Sequence, residues 1–303
     1  MLNLLRQVRR RLQPRSLQRT GSVALGLAAL VGIGGLGWVA RDVTAGQGST
    51  GRPSLLQLLD QVSPATPPAA EPPRQASPSP PVRAAWISPL RRQCTVTDTQ
   101  LSQSLQRQLA GLSGSMRRLR IDPTNYGERF RGDAFGNPLD PTPRIVVLHE
   151  TVYGMESAVQ TFLTPHPRDQ DQVSYHMLIG LDGEVVEALD PSRRAFGAGN
   201  SAFNGQWVVT NPKVGGSVNN FALHVSLETP IDGEDNDSGH SGYTRAQYDA
   251  LAVVLADWMR RFKIPPTSIT THRQVDIGGE RSDPRSFDWQ ALQLRLAALG
   301  LLC

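Results

Sequence analysis

The sequence is poor in charged side chains, in aromatic side chains and in cysteine. Charged residues make up 19% and aromatic residues 6% of the 303 residues, and only 2 cysteines occur. No acidic residue precedes Asp42, although six arginines lie before residue 20. If those six arginines are left out, 25 of the 31 basic side chains remain, compared with 27 acidic side chains. The net charge of +4 therefore reflects the N-terminus, and we expect no nucleic-acid partner.

Residues 52 to 82 contain nine of the 23 prolines, and between Val62 and Val82 they have no large apolar side chain. Such a stretch cannot bury enough surface to offset the entropy lost on ordering it. We therefore predict a disordered, Pro-rich linker over 41–83 and one folded domain over 84–303.

One long apolar run without charge occurs, over 22–40, behind a basic segment at 1–21. At 1.5 Å per residue it is long enough to cross a hydrocarbon core of roughly 30 Å. The preceding arginines predict that the N-terminus stays in the cytoplasm. A cleaved signal peptide is the alternative, because Val43-Thr44-Ala45 suits a cleavage site. We favour a single-pass anchor in the cytoplasmic membrane, and both interpretations place the domain outside, in the periplasm.

The two cysteines, Cys94 and Cys303, lie at the two ends of the predicted domain. In an oxidising compartment, two such cysteines can join the ends of a domain. Otherwise they are unrelated thiols. We predict that they form a disulfide.

Apolar periodicity predicts helices and strands that follow one another along the domain. The predicted helices are 98–112, 155–164, 244–262 and 288–299. The predicted strands are 144–149, 174–179, 184–187, 221–228 and 268–271. Asp182-Gly183 indicates a hairpin between two of these strands, and 113–143 is predicted to be irregular. A mixed central β-sheet flanked by helices, an α/β fold, is expected.

The segment 221–228 alternates strictly between two kinds of side chain. One face is predicted to consist of Phe221, Leu223, Val225 and Leu227, and the other of Ala222, His224, Ser226 and Glu228.

Two histidines end predicted strands, His149 and His272, and Asp283 follows in a Gly-rich loop. Side chains at strand ends line the ligand cleft of α/β proteins. Two imidazoles and a carboxylate can bind zinc and leave a fourth position for water. The spacing alone does not distinguish a metal site from the alternative, in which one histidine is structural and the other is merely exposed. The zincin helix is excluded, because the motif His-Glu-x-x-His would need histidine where Tyr153 stands.

Residues 144–290 resemble the N-acetylmuramoyl-L-alanine amidase family, which includes phage lysozyme-type amidases and peptidoglycan recognition proteins. The matching segments, in family order, are VVLHET, SYHMLIGLDGEVVE, NNFALHVSLE, YTRAQYDALAVVLADWM and ITTHRQVDIGGERSDPRSFDW. The resemblance implies that His149, His272 and Asp283 bind zinc. It also implies hydrolysis of the amide between the lactyl group of muramic acid and L-alanine.

The resemblance also suggests residues that act beside the metal. Tyr175 matches a tyrosine that donates to the oxyanion, and the alternative is a core tyrosine. Arg281 stands where many relatives have lysine and can supply positive charge. His176 matches a family histidine without a ligand role.

Two departures from the family pattern affect the proposed chemistry. The glutamate that often serves as general base is replaced by Ser226. Glu228 lies two residues on and is either a substitute base or a surface acid. The loop 195–199 lacks the histidine that relatives usually have there.

The leading hypothesis is therefore a zinc-dependent hydrolase of peptidoglycan or muropeptides that acts as a monomer. A non-catalytic module that recognises muropeptides is the alternative. A structural tether between membrane and wall would leave the cleft residues unexplained.

Overall fold

The computed structural model describes residues 75–96, 98–235 and 237–303. The segment Glu71–Cys303 forms one compact unit. The predicted membrane segment, 22–40, lies outside the described residues. Within the described part of the chain, no helix is both long enough and apolar enough to cross a bilayer.

A six-stranded mixed sheet forms the centre of the domain, with strand order β1-β5-β4-β7-β3-β8. Its strands are β1 (Arg117–Arg118), β3 (Ile145–Glu150), β4 (Met177–Ile179), β5 (Val185–Glu187), β7 (Ala222–Leu227) and β8 (Ile269–Thr271). Strands β4, β7, β3 and β8 are parallel neighbours, whereas β5 is antiparallel to β4 and parallel to β1. A separate antiparallel pair joins β2 (Tyr126–Glu128) to β6 (Arg193–Ala195).

Five α-helices and four short 3-10 helices occur among the described residues. The α-helices are α1 (Thr99–Ser115), α2 (Met155–Leu163), α3 (Arg245–Phe262), α4 (His272–Val275) and α5 (Trp289–Ala298). The 3-10 helices are Pro123–Asn125, Asp169–Asp171, Ile231–Gly233 and Pro266–Ser268.

The long helices begin at side chains that cap them. The carboxylate of Asp98 accepts from the N–H of Leu101, and Thr244 forms a capping box with Gln247. These contacts satisfy N–H groups that have no partner within the helix.

Both faces of the sheet are buried. Leu223, Val225 and Leu227 of β7 pack into the main core with α1, α3 and α5. On the second face, α2 covers part of the sheet and the chain between β6 and β7 covers Val147 of β3. The expected mixed sheet with helices on both faces is therefore confirmed.

Three local expectations need correction. Phe221 precedes β7 and packs with the second face, so it does not share a face with Leu223. The segment 113–143, predicted to be irregular, contains β1 and β2, which are too short to show periodicity. The loop expected after His272 begins instead with the single-turn helix α4.

The ends of the domain are joined as predicted, because Cys94 and Cys303 form a disulfide. Residues 75–83, which lie in the predicted linker, have no helix or strand but contact the domain. The indole N–H of Trp207 donates to the carbonyl of Pro78 at 2.8 Å, and the side chain of Arg83 donates to the carbonyl of Asp276.

Candidate metal centre

Three potential metal ligands meet at the carboxyl ends of β3 and β8. His149 lies near the end of β3, and His272 directly follows β8. The loop after α4 brings Asp283 to them, and its Oδ2 lies 3.2 Å from Nδ1 of both histidines. One ligand atom from each residue lies within 4.8 Å of the others. The two histidines and the aspartate predicted from sequence are therefore brought together.

The electrostatics of this cluster suit a cation. Burial lowers the pKa of His149 to about 4, so its imidazole is neutral near pH 7 and has a free lone pair. Burial alone would raise the pKa of Asp283, but hydrogen bonds from His149 and His272 outweigh it and hold the pKa well below its usual range. Two imidazoles and one carboxylate are a donor set that zinc prefers.

Tyr175 lies beside the cluster. Its ring stacks on that of His149 with centroids 4.3 Å apart and meets the ring of Phe162 edge-on at 5.6 Å. Burial raises the pKa of the phenol, and the positive charge of Arg281 only partly offsets this. The hydroxyl therefore stays protonated and available as a hydrogen-bond donor.

Arg281 is close enough to His149 and Tyr175 for its charge to lower the pKa of both, and it also lines a cavity of about 690 Å³. The cavity wall contains Arg273, the indole rings of Trp86 and Trp289, and the ring of Phe287. Guanidinium groups and aromatic rings together can accept carboxylates and the apolar faces of sugar or peptide groups.

The two candidates for the missing base lie in different surroundings. Ser226 pairs in register with His149 and is fully buried, and its hydroxyl has no partner among the described residues. The carboxylate of Glu228 accepts from the N–H of Met155 at 2.7 Å and from that of Leu181 at 2.8 Å. Glu228 therefore joins the start of α2 to the β4–β5 hairpin.

His224, which lies in β7, is a residue of the site that was not predicted from the sequence. Its Nδ1 is 2.9 Å from Nε2 of His149, and its backbone N–H donates to Nδ1 of His176 at 3.0 Å. Three buried histidines thus stand side by side on the second face of the sheet. The strict alternation of 221–228 predicted that His224 and Ser226 share a face. This was the feature of the sequence that could have identified His224 as part of the site.

Glu150 is the second residue that sequence analysis did not assign. Its buried carboxylate accepts from Nε of Arg285 at 2.5 Å and from the hydroxyl of Tyr243, and lies 3.1 Å from Nε2 of His240. The guanidinium of Arg285 also donates to the carbonyl of Gly233 at 2.5 Å. This network joins β3 to the loop that contains Asp283.

The fold and these residues define an α/β protein with a candidate metal centre at the ends of parallel strands. Residues 139–286 match the model of the N-acetylmuramoyl-L-alanine amidase family. This region is therefore a domain of that family, as the sequence motifs had predicted.

Individual relatives match the same region. The chain is 34% identical over 120 residues to the 1,6-anhydro-N-acetylmuramyl-L-alanine amidase AmpD of Citrobacter freundii, covering 39% of this chain and 54% of AmpD. It is 32% identical over 120 residues to the protein of the same name from Escherichia coli K12, covering 39% and 55%. The chain thus spans about half the length of the curated relatives it matches.

Solved structures with a similar arrangement include a selenomethionine derivative of AmpD. It is 24% identical with a TM-score of 0.45, and the match covers 60% of this chain and 94% of that one. The amidase AmiD from E. coli, in complex with anhydro-N-acetylmuramic acid-L-Ala-D-gamma-Glu-L-Lys, is 19% identical with a TM-score of 0.40. That match covers 56% of this chain and 65% of AmiD.

Proposed function

We propose that this protein hydrolyses the amide bond between N-acetylmuramic acid and the L-alanine of a stem peptide. The observation that supports this most is the convergence of His149, His272 and Asp283 in a domain of the amidase family. The stack of Tyr175 on His149 and the charge of Arg281 nearby support a role for both in attack on an amide.

The three ligands would hold one zinc ion. Zinc bound there supplies Lewis acidity and water with a pKa near 7. The protein's own part is to keep the imidazole of His149 neutral by burial and to keep Asp283 ionised. A neutral imidazole and an ionised carboxylate are the forms in which these side chains bind a metal ion.

Tyr175 and Arg281 would stabilise the charge that develops on the scissile carbonyl oxygen. The phenol of Tyr175 stays protonated and can donate one hydrogen bond to an oxyanion. A guanidinium group provides positive charge but cannot act as a base in a protein, so the role of Arg281 would be electrostatic. The stack on His149 fixes where the Tyr175 ring lies relative to the ligands.

A non-catalytic module that binds muropeptides is the second candidate, and Ser226 is the observation that favours it. A serine hydroxyl has no useful pKa near 7, so it cannot replace a glutamate as general base. Glu228 is already engaged by two backbone N–H groups. The three intact ligands favour the enzyme, because they allow a catalytic zinc site with an open position.

The substrate class follows from the relatives and from the cavity. The matched AmpD proteins are named for 1,6-anhydro-N-acetylmuramyl-L-alanine, so we propose anhydromuropeptides and intact peptidoglycan as substrates. The cavity beside Arg281 is large enough for part of a stem peptide. Its guanidinium groups would pair with the peptide carboxylates.

The test is product analysis with the purified full-length protein. We expect incubation with peptidoglycan, or with anhydromuropeptide, to release peptides that begin with L-alanine, detected by mass spectrometry. A chelator and the variant His149→Ala should both abolish release. Binding of muropeptide without any product would favour the recognition module. Zinc content no higher than that of His149→Ala would remove the basis of the mechanism.

We also propose that the domain acts outside the cytoplasmic membrane. The Cys94–Cys303 disulfide supports this, because such bonds persist in oxidising compartments. The apolar run at 22–40 supports an anchor or a signal peptide. Fractionation with the membrane, and protease access only from the outer side, is the expected result; a soluble mature form starting near Gly46 would establish cleavage.

A further inference from the structure

The imidazole of His149 has two nitrogens in different surroundings. Nδ1 faces Asp283 and belongs to the candidate metal centre, whereas Nε2 points into the protein, 2.9 Å from Nδ1 of His224. Both side chains are fully buried. The contact joins β3 to β7, which are parallel neighbours in the sheet.

The direction of this hydrogen bond follows from the metal-binding role of His149. When Nδ1 offers its lone pair to a cation, the ring proton of a neutral imidazole sits on Nε2. Nδ1 of His224 is the acceptor within reach of that proton among the described residues. Such outer contacts fix the tautomer and the ring orientation of a metal-ligating histidine.

His224 itself packs against His176. Its ring lies parallel to that of His176, with centroids 5.9 Å apart and planes 5° apart. Its backbone N–H donates to Nδ1 of His176, which fixes the second ring. A rigidly held acceptor is what an outer contact needs in order to orient a ligand.

Gly197 makes room for the His224 ring. A Cβ added at Gly197 would lie 2.4 Å from Nδ1 and 2.5 Å from Cγ of His224. Real Cβ contacts are never this short, so any larger residue at 197 would displace the ring. The glycine in the loop and the histidine in β7 are therefore matched to each other.

We propose that His224 is a positioning residue that orients His149 for metal binding, and that Gly197 is required because it leaves space for the His224 ring. This inference rests on the proposed zinc site but not on catalysis. It predicts that the effect of a substitution at residue 197 on zinc affinity depends on which residue stands at position 224.

The first test compares two substitutions in the full-length protein by competition with a chromogenic chelator. His224→Leu removes the acceptor while filling much of the volume, and zinc affinity should fall about 10- to 100-fold. His224→Asn keeps an acceptor near the position of Nδ1, and affinity should stay within a few-fold of wild type. Thermal unfolding of the metal-free proteins serves as the control for folding.

The second test is a double-mutant cycle, which isolates coupling between two sites. Gly197→Ala should weaken zinc binding in the wild-type background, because it displaces the ring. In the His224→Ala background, Gly197→Ala should have no further effect. Equal effects of Gly197→Ala in both backgrounds would overturn the coupling.

His149→Ala, measured in parallel, separates this inference from the proposed function. If wild type binds zinc and His149→Ala does not, yet His224→Leu binds as tightly as wild type, His224 does not position the ligand. If wild type and His149→Ala bind zinc equally weakly, the zinc site itself is wrong, and this inference falls with it.

Discussion

Tyr175 lies nearly flat against His149, with planes 22° apart and ring centroids at 4.3 Å. The pair joins a candidate oxyanion donor directly to a candidate metal ligand. Phe162 contacts the ring of Tyr175 edge-on, with centroids 5.6 Å apart, so ring packing helps to position the phenol. The ring and the hydroxyl of Tyr175 can therefore be tested separately.

Replacing Tyr175 by phenylalanine keeps the ring and removes only the hydroxyl. We expect Tyr175→Phe to lower kcat by on the order of 100-fold, the usual loss for an oxyanion donor, with zinc affinity unchanged. The measurement is turnover of anhydromuropeptide together with zinc content. Tyr126→Phe, a partly buried tyrosine of β2, is the matched control and should leave kcat within about twofold. Full activity in Tyr175→Phe would assign this tyrosine to the core.

Glu228 should prove to be a structural acid. Glu228→Gln places an amide donor opposite one of the N–H groups of Met155 and Leu181, so we expect the free energy of unfolding to fall by about 1–2 kcal/mol. The acidic limb of the pH profile of kcat/KM should persist. Its disappearance would instead identify this carboxylate as the base.

The exposed pair of Glu184 with Arg117 provides the control for Glu228. Glu184 lies in the same hairpin, and its ion pair is solvent-exposed on both sides. Such pairs contribute little to stability. Glu184→Gln should therefore change neither unfolding nor turnover measurably.

The parts of the site predictable from sequence are those that depend on local pattern. The β-branched run before His149 indicated a buried strand, and side chains at the ends of parallel strands meet in space. The alternation of 221–228 indicated which side chains share a face. The short strands β1 and β2 escaped prediction, because two or three residues show no periodicity.

The contacts behind the ligands could not be predicted in this way. His224 lies 75 residues from His149, and Arg285 lies 135 residues from Glu150. A strand pattern gives the face of a side chain but not the register of the neighbouring strand. Whether the side chains of His149 and His224 are neighbours depends on that register.

The metal-free protein should lose stability as the pH falls. Burial lowers the pKa of His176 to about 3, whereas an unfolded histidine titrates near 6.5. Between these values the unfolded state binds the proton and the folded state does not. Stability from this residue is thus full above about pH 6.5 and falls below it, by about 2 kcal/mol at pH 5.

Urea unfolding of the metal-free protein at several pH values measures this effect. His176→Gln should reduce the number of protons taken up on unfolding between pH 5 and 6.5 by about one. An unchanged slope in His176→Gln would show that His176 is protonated in the folded protein.

The disulfide should contribute strongly to stability. It closes a separation of 209 residues, and in the chain-entropy model a loop of this size adds on the order of 5 kcal/mol. Cys94→Ser with Cys303→Ser should lower the free energy of unfolding accordingly, measured with denaturant. Peptide mapping without reductant should recover one linked peptide from the wild type, and two free thiols would contradict the bond.

Glu150 and Arg285 should stabilise the metal centre through the loop that contains Asp283. The two side chains are 5% and 8% exposed, so removal of one leaves the other charge buried. We expect Arg285→Met to lower the free energy of unfolding by about 3–5 kcal/mol. Zinc affinity should fall as well, because the Arg285 guanidinium ties the loop, two residues from Asp283, to Glu150 of β3.

A double-mutant cycle distinguishes this ion pair from simple packing. Glu150→Gln combined with Arg285→Met removes both charges, so the double variant should be less destabilised than the sum of the single variants. The free energy of unfolding and the zinc affinity are measured for all four proteins. Strict additivity would mean that the two side chains act independently. The position of the loop with Asp283 would then depend on its other contacts. One of these is the hydrogen bond from the N–H of Arg273 to the carbonyl of Asp283 at 3.0 Å.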